Sequence, residues 1–359
     1  MIAFNGPSSA YRLVMTKKFR LCRYLAALMT TFFVPLSNAQ TRLAEGVDVN
    51  TGIVGLLQRY DIVFLGESHA NAEQISALSA IYSDPKVRAA TSALATEMVL
   101  AQDQSDFEAF LRAGADQPLF EKRIKDLIWY RYQDYRNLMH TIQRAKWNGC
   151  GVDYMDFIHA GSDDRDAVIA DKTSVFRTFP EQVQKKMAEK LGAPIENVPT
   201  AQGPDLIREF IIARSILNCI DRFGPKLIVH MGSHHGWSLD TQIRPEVFND
   251  SSGMPALDWI HLLRPKLKIA VVHLGMATEK TEGESPFDSI LRRANLSLGS
   301  NLRSQLFSTR AFSPEVRSMM SMQQQDTGEV NTYPLPYYGV ADYWIFGPPG
   351  RRAARITGK

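Results

Sequence analysis

Two stretches of the same pattern decide the fold: Asp61-Ile62-Val63-Phe64-Leu65-Gly66-Glu67-Ser68-His69 and Leu227-Ile228-Val229-His230-Met231-Gly232-Ser233-His234-His235. Each begins as an apolar run typical of a buried strand and ends in a Gly-x-x-His turn. In an open α/β sheet, ligands bind beyond the carboxyl ends of the strands, where a glycine permits a tight turn and the following polar side chain faces the crevice. The repetition therefore predicts one shared pocket that contains His69 and His235.

The rest of the chain alternates strand patterns with helix patterns. Apolar runs predict further strands at 92–96, 149–153, 267–274 and 342–346. Helical periodicity is present at 72–82, 107–111, 127–146, 163–192, 206–223 and 257–263, and a proline-containing connection is expected at 192–203. This alternation indicates the α/β class, with a mostly parallel central sheet, helices on both faces and extra helical insertions.

The first 39 residues resemble a secretory signal. Residues 17–23 are basic, residues 25–36 are apolar, and Ser37-Asn38-Ala39 supplies the small residues that signal peptidase recognises. The apolar run is too short to span a bilayer. We expect cleavage after Ala39, a periplasmic or secreted location, and no transmembrane segment in the mature chain. The mature α/β domain would cover residues 40–359, with insertions near 160–205 and 279–336.

The charge balance argues against a nucleic-acid partner. The pI of 8.6 depends on the signal, whose removal takes five of the 41 basic residues and none of the 38 acidic ones. The mature chain would then carry a formal charge of −2, and it contains no basic block interleaved with aromatic residues. A small-molecule ligand is the expected partner, while the sequence carries no signature of an oligomeric state.

Two cysteines remain in the predicted mature chain, Cys150 and Cys219. An exported protein folds where disulfides persist, so the two cysteines either pair or remain as two buried thiols. Spacing alone does not establish the geometry that pairing requires.

Four residues form the predicted catalytic set: Glu67, His69, Glu97 and His235. Glu97 follows an apolar strand, where an unpaired carboxylate is costly to bury, so it needs a partner or solvent. Glutamate and histidine side chains from separate strands bind divalent cations, which makes His69, His235 and Glu97 the predicted metal ligands for Mn, Co or Zn. A neutral imidazole beside a carboxylate also acts as a general base on water. The alternative is that Glu67 caps the next helix and His69 bonds a backbone carbonyl.

Other polar residues near the predicted strand ends have less specific patterns. Asp153 ends a short strand and either reaches the pocket or caps its own loop. His230 lies within a strand and His273 ends another, and both are more typical of packed core histidines than of ligands. The side chains of His234 and His235 point in different directions, and the Gly-x-x-His register selects His235.

An aromatic cluster precedes the middle of the chain, at Trp129, Tyr130, Tyr132 and Tyr135. Amphipathic packing of a helix is the favoured interpretation. The alternative is an aromatic wall for a large planar ligand, in which the oxygen of a tyrosine such as Tyr135 reaches iron.

Several common enzyme signatures are missing from the sequence. It contains no Gly-x-Ser-x-Gly elbow, phosphate-binding loop, dinucleotide fingerprint or His-Glu-x-x-His motif. The sequence therefore argues against those common enzyme classes.

The segment Phe64-Leu65-Gly66-Glu67-Ser68-His69-Ala70-Asn71 resembles the ChaN family of haem-binding uptake proteins, in the superfamily that also contains Tiki and TraB proteins and the erythromycin esterases. Glu97-Met98, Gly151-Val152-Asp153, Gly232 to His235 and Ala341 to Phe346 extend this resemblance over most of residues 55–347. Erythromycin esterases usually place one more residue between the acid and the histidine, which favours the ChaN and Tiki side. Ala70 departs from the acid that ChaN proteins tend to carry.

The resemblance implies two functions of different classes. Similarity to ChaN implies capture of haem or iron for uptake, with His69, His235 and Tyr135 as the cofactor-binding residues. Similarity to Tiki proteins and esterases implies a metal-dependent hydrolase that uses Glu67, His69, Glu97 and His235. The ChaN resemblance covers more segments, so haem binding is the first expectation and hydrolysis the alternative.

Overall fold

The computed structural model describes residues 46–67, 69–113, 132–154, 165–201, 206–236, 254–275, 305–308, 323–324, 331–332 and 341–346. The predicted signal peptide, Trp129 and Tyr130 lie outside these residues, as does most of the segment near 279–336.

Ten strands are present among the described residues: β1 (Val47–Asp48), β2 (Ile62–Glu67), β3 (Ala93–Leu100), β4 (Gly149–Asp153), β5 (Leu227–Gly232), β6 (Ile269–Leu274), β7 (Gln305–Ser308), β8 (Gln323–Gln324), β9 (Asn331–Thr332) and β10 (Tyr343–Phe346). The α-helices of the same residues are α1 (Val49–Arg59), α2 (Ala72–Ser83), α3 (Pro85–Ala90), α4 (Gln104–Ala113), α5 (Gln133–Arg144), α6 (Arg165–Arg177), α7 (Glu181–Leu191), α8 (Leu206–Phe223) and α9 (Ala256–Leu263). No helix within the described ranges is both long and apolar enough to cross a membrane.

The described strands form an eight-stranded sheet in the order β1-β7-β10-β6-β2-β5-β3-β4, while β8 and β9 pair separately. Pairing is parallel from β10 through to β4, and β7 and β1 add antiparallel pairs at one side. The two strands that carry the Gly-x-x-His turns, β2 and β5, are direct neighbours in register, with Glu67 opposite Gly232. The predicted fold class is confirmed.

Alternate residues of β2 face two separate hydrophobic cores. Ile62 and Phe64 pack in one core with side chains of α6, α7, α8 and α9. Val63 and Leu65 pack in the other core with side chains of α1 to α5. A strand buried on both faces reads as a continuous apolar run instead of an alternating one, which explains the sequence pattern.

A disulfide joins Cys150 on β4 to Cys219 on α8, so the paired alternative is the one that the structure contains. Near the other end of the same two elements, the guanidinium of Arg208 donates to both carboxylate oxygens of Asp153, at 2.8 and 3.0 Å. The covalent bridge and the ion pair together fix α8 against the edge strand of the sheet.

Several predicted boundaries differ from the structure. Strand β3 continues past Thr96 to Leu100, with an irregular register against β4 after Thr96, so Glu97 lies within the strand instead of beyond it. The helix predicted at 127–146 is described over Gln133–Arg144. The segment expected to be an exposed connection contains a 3₁₀ helix, Ile195–Thr200, which packs against α6 and α7 and buries Val198 and Pro199. Val198 joins the core that contains Ile62 and Phe64.

Candidate functional site

The site lies where the chain changes direction across the sheet. The chain leaves β2 through α2 and returns in β3, which lies on the other side of β5. It leaves β5 through α9 and returns in β6, which lies on the other side of β2. Helices α2 and α9 pack on opposite faces of the sheet. Adjacent strands whose connections leave in opposite directions open a crevice at their carboxyl ends, which is the usual ligand position in such folds.

His69 lies between two carboxylates at this crevice. Its Nδ1 is 3.1 Å from Oε1 of Glu67, and its Nε2 is 3.7 Å from Oε1 of Glu97. The imidazole side chain is 34% exposed, whereas both glutamate side chains are 1% exposed. His69 is therefore the part of this group that a ligand arriving from solvent meets first.

Glu97 is anchored from the second Gly-x-x-His turn. The backbone N–H of Gly232 donates to Oε1 of Glu97 at 2.7 Å, and Nε2 of His235 lies 3.4 Å from Oε2. The pocket partner that the sequence analysis required for Glu97 is thus supplied by β5 and the turn after it.

Glu209 on α8 holds His235 from behind, a role that the sequence analysis missed. Its carboxylate contacts Nδ1 of His235 at 2.7 Å and also accepts the backbone N–H of Ala256 at 2.7 Å. The other buried residues of α8 are mostly apolar. A single acid on the apolar face of an amphipathic helix needs a buried partner, and this pattern in the sequence could have identified Glu209 as a residue of the site.

Glu67 has further partners on the opposite face of the sheet. The hydroxyl of Tyr135 donates to Oε1 of Glu67 at 2.6 Å and accepts the N–H of Ala70 at 3.2 Å. Nε2 of His230 lies 3.3 Å from Oε2 of Glu67, so this strand histidine belongs to the site and not only to the core. Glu67 does not cap the next helix, because Asn71 occupies that cap and accepts from the N–H of Gln74.

The electrostatics favour ionised carboxylates in the site. Burial raises the pKa of Glu67, but the charge interactions and hydrogen bonds with His230 and His69 together have a larger, opposite effect. The pKa of Glu67 therefore lies below its ordinary value. Burial also raises the pKa of Glu97, but His69 and His235 together hold it far below the ordinary value. Burial lowers the pKa of His235, yet the carboxylates of Glu209 and Glu97 raise it to about 9.

The raised pKa of His235 predicts a pH dependence of stability. A histidine protonated more readily in the folded state stabilises it fully below the unfolded pKa of about 6.5, and this contribution is lost as the pH rises through about 9. For this fully buried group the difference corresponds to roughly 3 kcal/mol. We expect the urea midpoint of metal-free protein to fall between pH 6.5 and 9, and His235→Gln to flatten that fall. An identical pH profile for both proteins would contradict the prediction.

Asp153 and Tyr135 are both buried and hydrogen-bonded to other groups of the protein. Asp153 is buried and bonds Arg208 and the N–H of Tyr154, so it holds α8 and its own loop. Tyr135 is fully buried, and its hydroxyl bonds Glu67 and Ala70. Burial raises the pKa of Tyr135 well above its ordinary value, and Glu67 adds to this effect, so its oxygen stays protonated.

His273 lies on β6 beside the site. Its ring packs at 5.3 Å against Trp344 in an edge-to-face arrangement, and burial lowers its pKa to about 3. A side chain added at Gly66 would place its Cβ 2.9 Å from Cδ2 of His273 and 3.0 Å from Cα of Ser233. The glycine of the first turn is therefore required by close approach, since any larger residue would separate β2 from the second turn.

Three groups of the site fit a metal ion. One ligand atom each from Glu67, His69 and Glu97 lies within 4.8 Å of the others. Oxygen and nitrogen donors of this kind suit Zn, Mn or Co. Two of the three predicted metal ligands, His69 and Glu97, are in this group, whose third member is Glu67; His235 is not a member and instead contacts Glu97 and Glu209.

These features define an α/β protein with a cluster of buried carboxylates and imidazoles at a change of strand direction. The sequence model of the family described as haem-binding uptake, Tiki superfamily, ChaN matches residues 53–238, more than half of the chain. The protein therefore belongs to this ChaN family. No curated protein matches the chain in sequence.

Solved structures are similar to this chain at low sequence identity, and the first one named here shares its fold. A succinoglycan biosynthesis protein is 12% identical with a TM-score of 0.55, over 89% of this chain and 97% of that one. ChaN of Campylobacter jejuni, solved with cofacially bound haem, is 14% identical with a TM-score of 0.40, over 67% of this chain and 89% of that one. The erythromycin esterase EreC is 12% identical with a TM-score of 0.49, over 88% of this chain and 99% of that one.

Proposed function

We propose that this protein binds haem, or the iron it carries, at the strand-end pocket, with His69 as the iron ligand. The observation that carries the proposal is the half-exposed imidazole of His69, whose Nδ1 is bonded by the buried carboxylate of Glu67. A metal-ligating histidine usually has its second ring nitrogen bonded by a carboxylate, which fixes the ring and raises its basicity. Membership of a haem-binding uptake family supports the same ligand.

The surrounding residues fit this role. Glu67 is itself held by the hydroxyl of Tyr135, and that hydroxyl also fixes Ala70 in the turn after His69. The imidazole is thus presented on a rigid support at the mouth of the pocket. Haem would supply the iron, and His69 would supply a nitrogen ligand to it. Export through the predicted signal at residues 1–39 would place the pocket where external haem arrives, and amino-terminal sequencing of exported protein tests cleavage after Ala39.

Haemin titration tests the proposal. We expect a saturable, shifted Soret band at about one equivalent of haemin, and at least a tenfold loss of affinity in His69→Ala, because an axial ligand is removed. His140→Ala is the matched control, since His140 lies on α5 and contacts Gln143 instead of the pocket. Glu67→Gln should weaken binding less than His69→Ala, because the amide oxygen still accepts a bond from Nδ1 when that nitrogen carries the proton.

Two results would contradict haem binding at this pocket. One is absorbance that rises without saturation in wild-type protein. The other is equal affinity in wild type, His69→Ala and His140→Ala, which would place haem elsewhere on the chain.

A second candidate function is metal-dependent hydrolysis, which the convergence of Glu67, His69 and Glu97 favours. These residues would hold a divalent ion, which lowers the pKa of a bound water and so provides a nucleophile at neutral pH. Metal-depleted protein would be compared with protein supplied with Mn²⁺, Co²⁺ or Zn²⁺ on a panel of peptides and lactone esters. Turnover that requires metal and is lost in Glu97→Gln supports this candidate, whereas absence of turnover with all three ions rejects it for those substrates.

A further inference from the structure

We call Glu67, His69 and Glu97 the outer group. The second carboxylate oxygen of Glu67, Oε2, contacts a residue that does not belong to this group. Oε2 of Glu67 and Nε2 of His230 are 3.3 Å apart, and we call them the inner pair. Both side chains are almost completely buried, at 1% and 0% exposure. The inner pair lies on the opposite side of the Glu67 carboxylate from His69, which contacts Oε1.

The two atoms of the inner pair form an ion pair with each other. Within the described part of the chain, neither atom has a further hydrogen-bond partner, and Nδ1 of His230 has none. Other hydrogen bonds of the site are shorter, such as 2.6 Å from Tyr135 to Glu67 and 2.7 Å from Gly232 to Glu97. Buried polar groups nearly always have partners, and orphaned ones indicate a ligand or ion that binds them.

The hydroxyl of Tyr82 is a further buried polar atom on the same face of the sheet. It has no hydrogen bond to the described residues, the side chain is fully buried, and its ring centroid lies 5.9 Å from that of His230. Burial, followed by the charge of Glu67, raises the pKa of Tyr82 well above its ordinary value, so the hydroxyl stays protonated and neutral. The ring of Tyr82 thus lies beside that of His230, and both side chains are fully buried.

We propose that the inner pair is a second cation position, at which Glu67 bridges to the ion of the outer group and His230 supplies a nitrogen ligand. Two ligands of a tetrahedral ion with bonds of about 2.1 Å lie about 3.4 Å apart, which matches the 3.3 Å separation of the inner pair. A carboxylate, an imidazole and a neutral oxygen form a donor set for a divalent first-row transition ion such as Mn²⁺, Co²⁺ or Zn²⁺. The proposal rests on the second candidate function, because it includes an ion bound by Glu67, His69 and Glu97, and it does not require haem binding.

Metal counting on haem-free protein tests this position. The full chain is stripped with chelator, dialysed against Co²⁺ or Mn²⁺, and analysed for bound metal. We expect two ions per wild-type chain, one in His230→Gln and one in His69→Ala, each variant losing a different ion. Tyr82→Phe should retain two ions and bind the inner one about 10-fold more weakly.

A matched core substitution controls for general damage to the fold. Met231→Leu changes the neighbouring, fully buried residue of β5 without altering a polar group, and it should retain two ions. If His230→Gln does not fold, the decisive sample is His69→Ala, whose remaining Co²⁺ should give visible bands of a nitrogen- and oxygen-ligated ion.

Three outcomes overturn the inner position: one ion or none in wild-type protein, unchanged metal content and affinity in folded His230→Gln, or complete loss of metal in His69→Ala. These results leave the haemin titration unaffected, so failure of one proposal does not imply failure of the other.

Discussion

Replacing Glu97 with alanine is expected to destabilise the protein by about 3–5 kcal/mol, since the change removes one partner of a buried, charge-paired group. Glu97 is 1% exposed, accepts the N–H of Gly232 and contacts the imidazoles of His69 and His235. Its loss would strand the Gly232 N–H and open a polar cavity between β3 and β5. Guanidinium unfolding of metal-free wild type and variant, followed by circular dichroism, measures the difference.

Two control variants separate the causes of this loss. Glu97→Gln keeps an acceptor for Gly232 but removes the charge, so it should be destabilised less than Glu97→Ala. Glu181→Ala removes an exposed carboxylate that pairs with Lys185 one turn away on α7, and it should leave the midpoint unchanged. A Glu97→Ala variant as stable as wild type would show that the buried contacts of Glu97 serve ligand binding at no benefit to the fold.

Removing the disulfide is expected to cost about 2–4 kcal/mol, because the bridge closes a long loop and so restricts the unfolded chain. Cys150 and Cys219 are 69 residues apart in sequence, and both are buried. The double variant Cys150→Ser/Cys219→Ser should unfold at a lower guanidinium concentration than oxidised wild type and at about the same concentration as reduced wild type.

The reduced wild type is the internal control for the serine substitutions. If the disulfide acts mainly on the unfolded chain, near-ultraviolet circular dichroism of the native variant should match that of wild type. Equal midpoints for oxidised wild type, reduced wild type and the double variant would contradict the prediction.

The sequence predicted those parts of the fold that depend on local pattern. β2 and β5 were recognisable because strands buried on both faces are apolar throughout, and α8 was predicted at its observed bounds because its apolar period extends over 18 residues. The Gly-x-x-His turns located His69 and His235, and the strand pattern located Glu97. The structure places these side chains close to one another and to Glu67.

Long-range contacts account for what the sequence did not predict. Glu209 is 26 residues from His235 and belongs to a different element, so only the packing of α8 brings the two side chains together. The role of Tyr135 has the same origin, since its hydroxyl reaches Glu67 across 68 positions of sequence. Spacing also left the pairing of Cys150 and Cys219 open, because it does not report the 6.1 Å separation of their Cα atoms.

The position of β2 in the middle of the sheet has a consequence for the motions of the protein. Its amides bond to β5 on one side and β6 on the other, and its side chains are buried on both faces, so Val63, Phe64 and Leu65 can exchange hydrogen with solvent only when the whole domain unfolds. His69 projects from the end of this slowest-exchanging strand and is still partly open to water. A ligand can therefore bind and leave without local opening of β2. Ligand binding should change the hydrogen-exchange rates of the β2 amides only by raising the global stability of the domain.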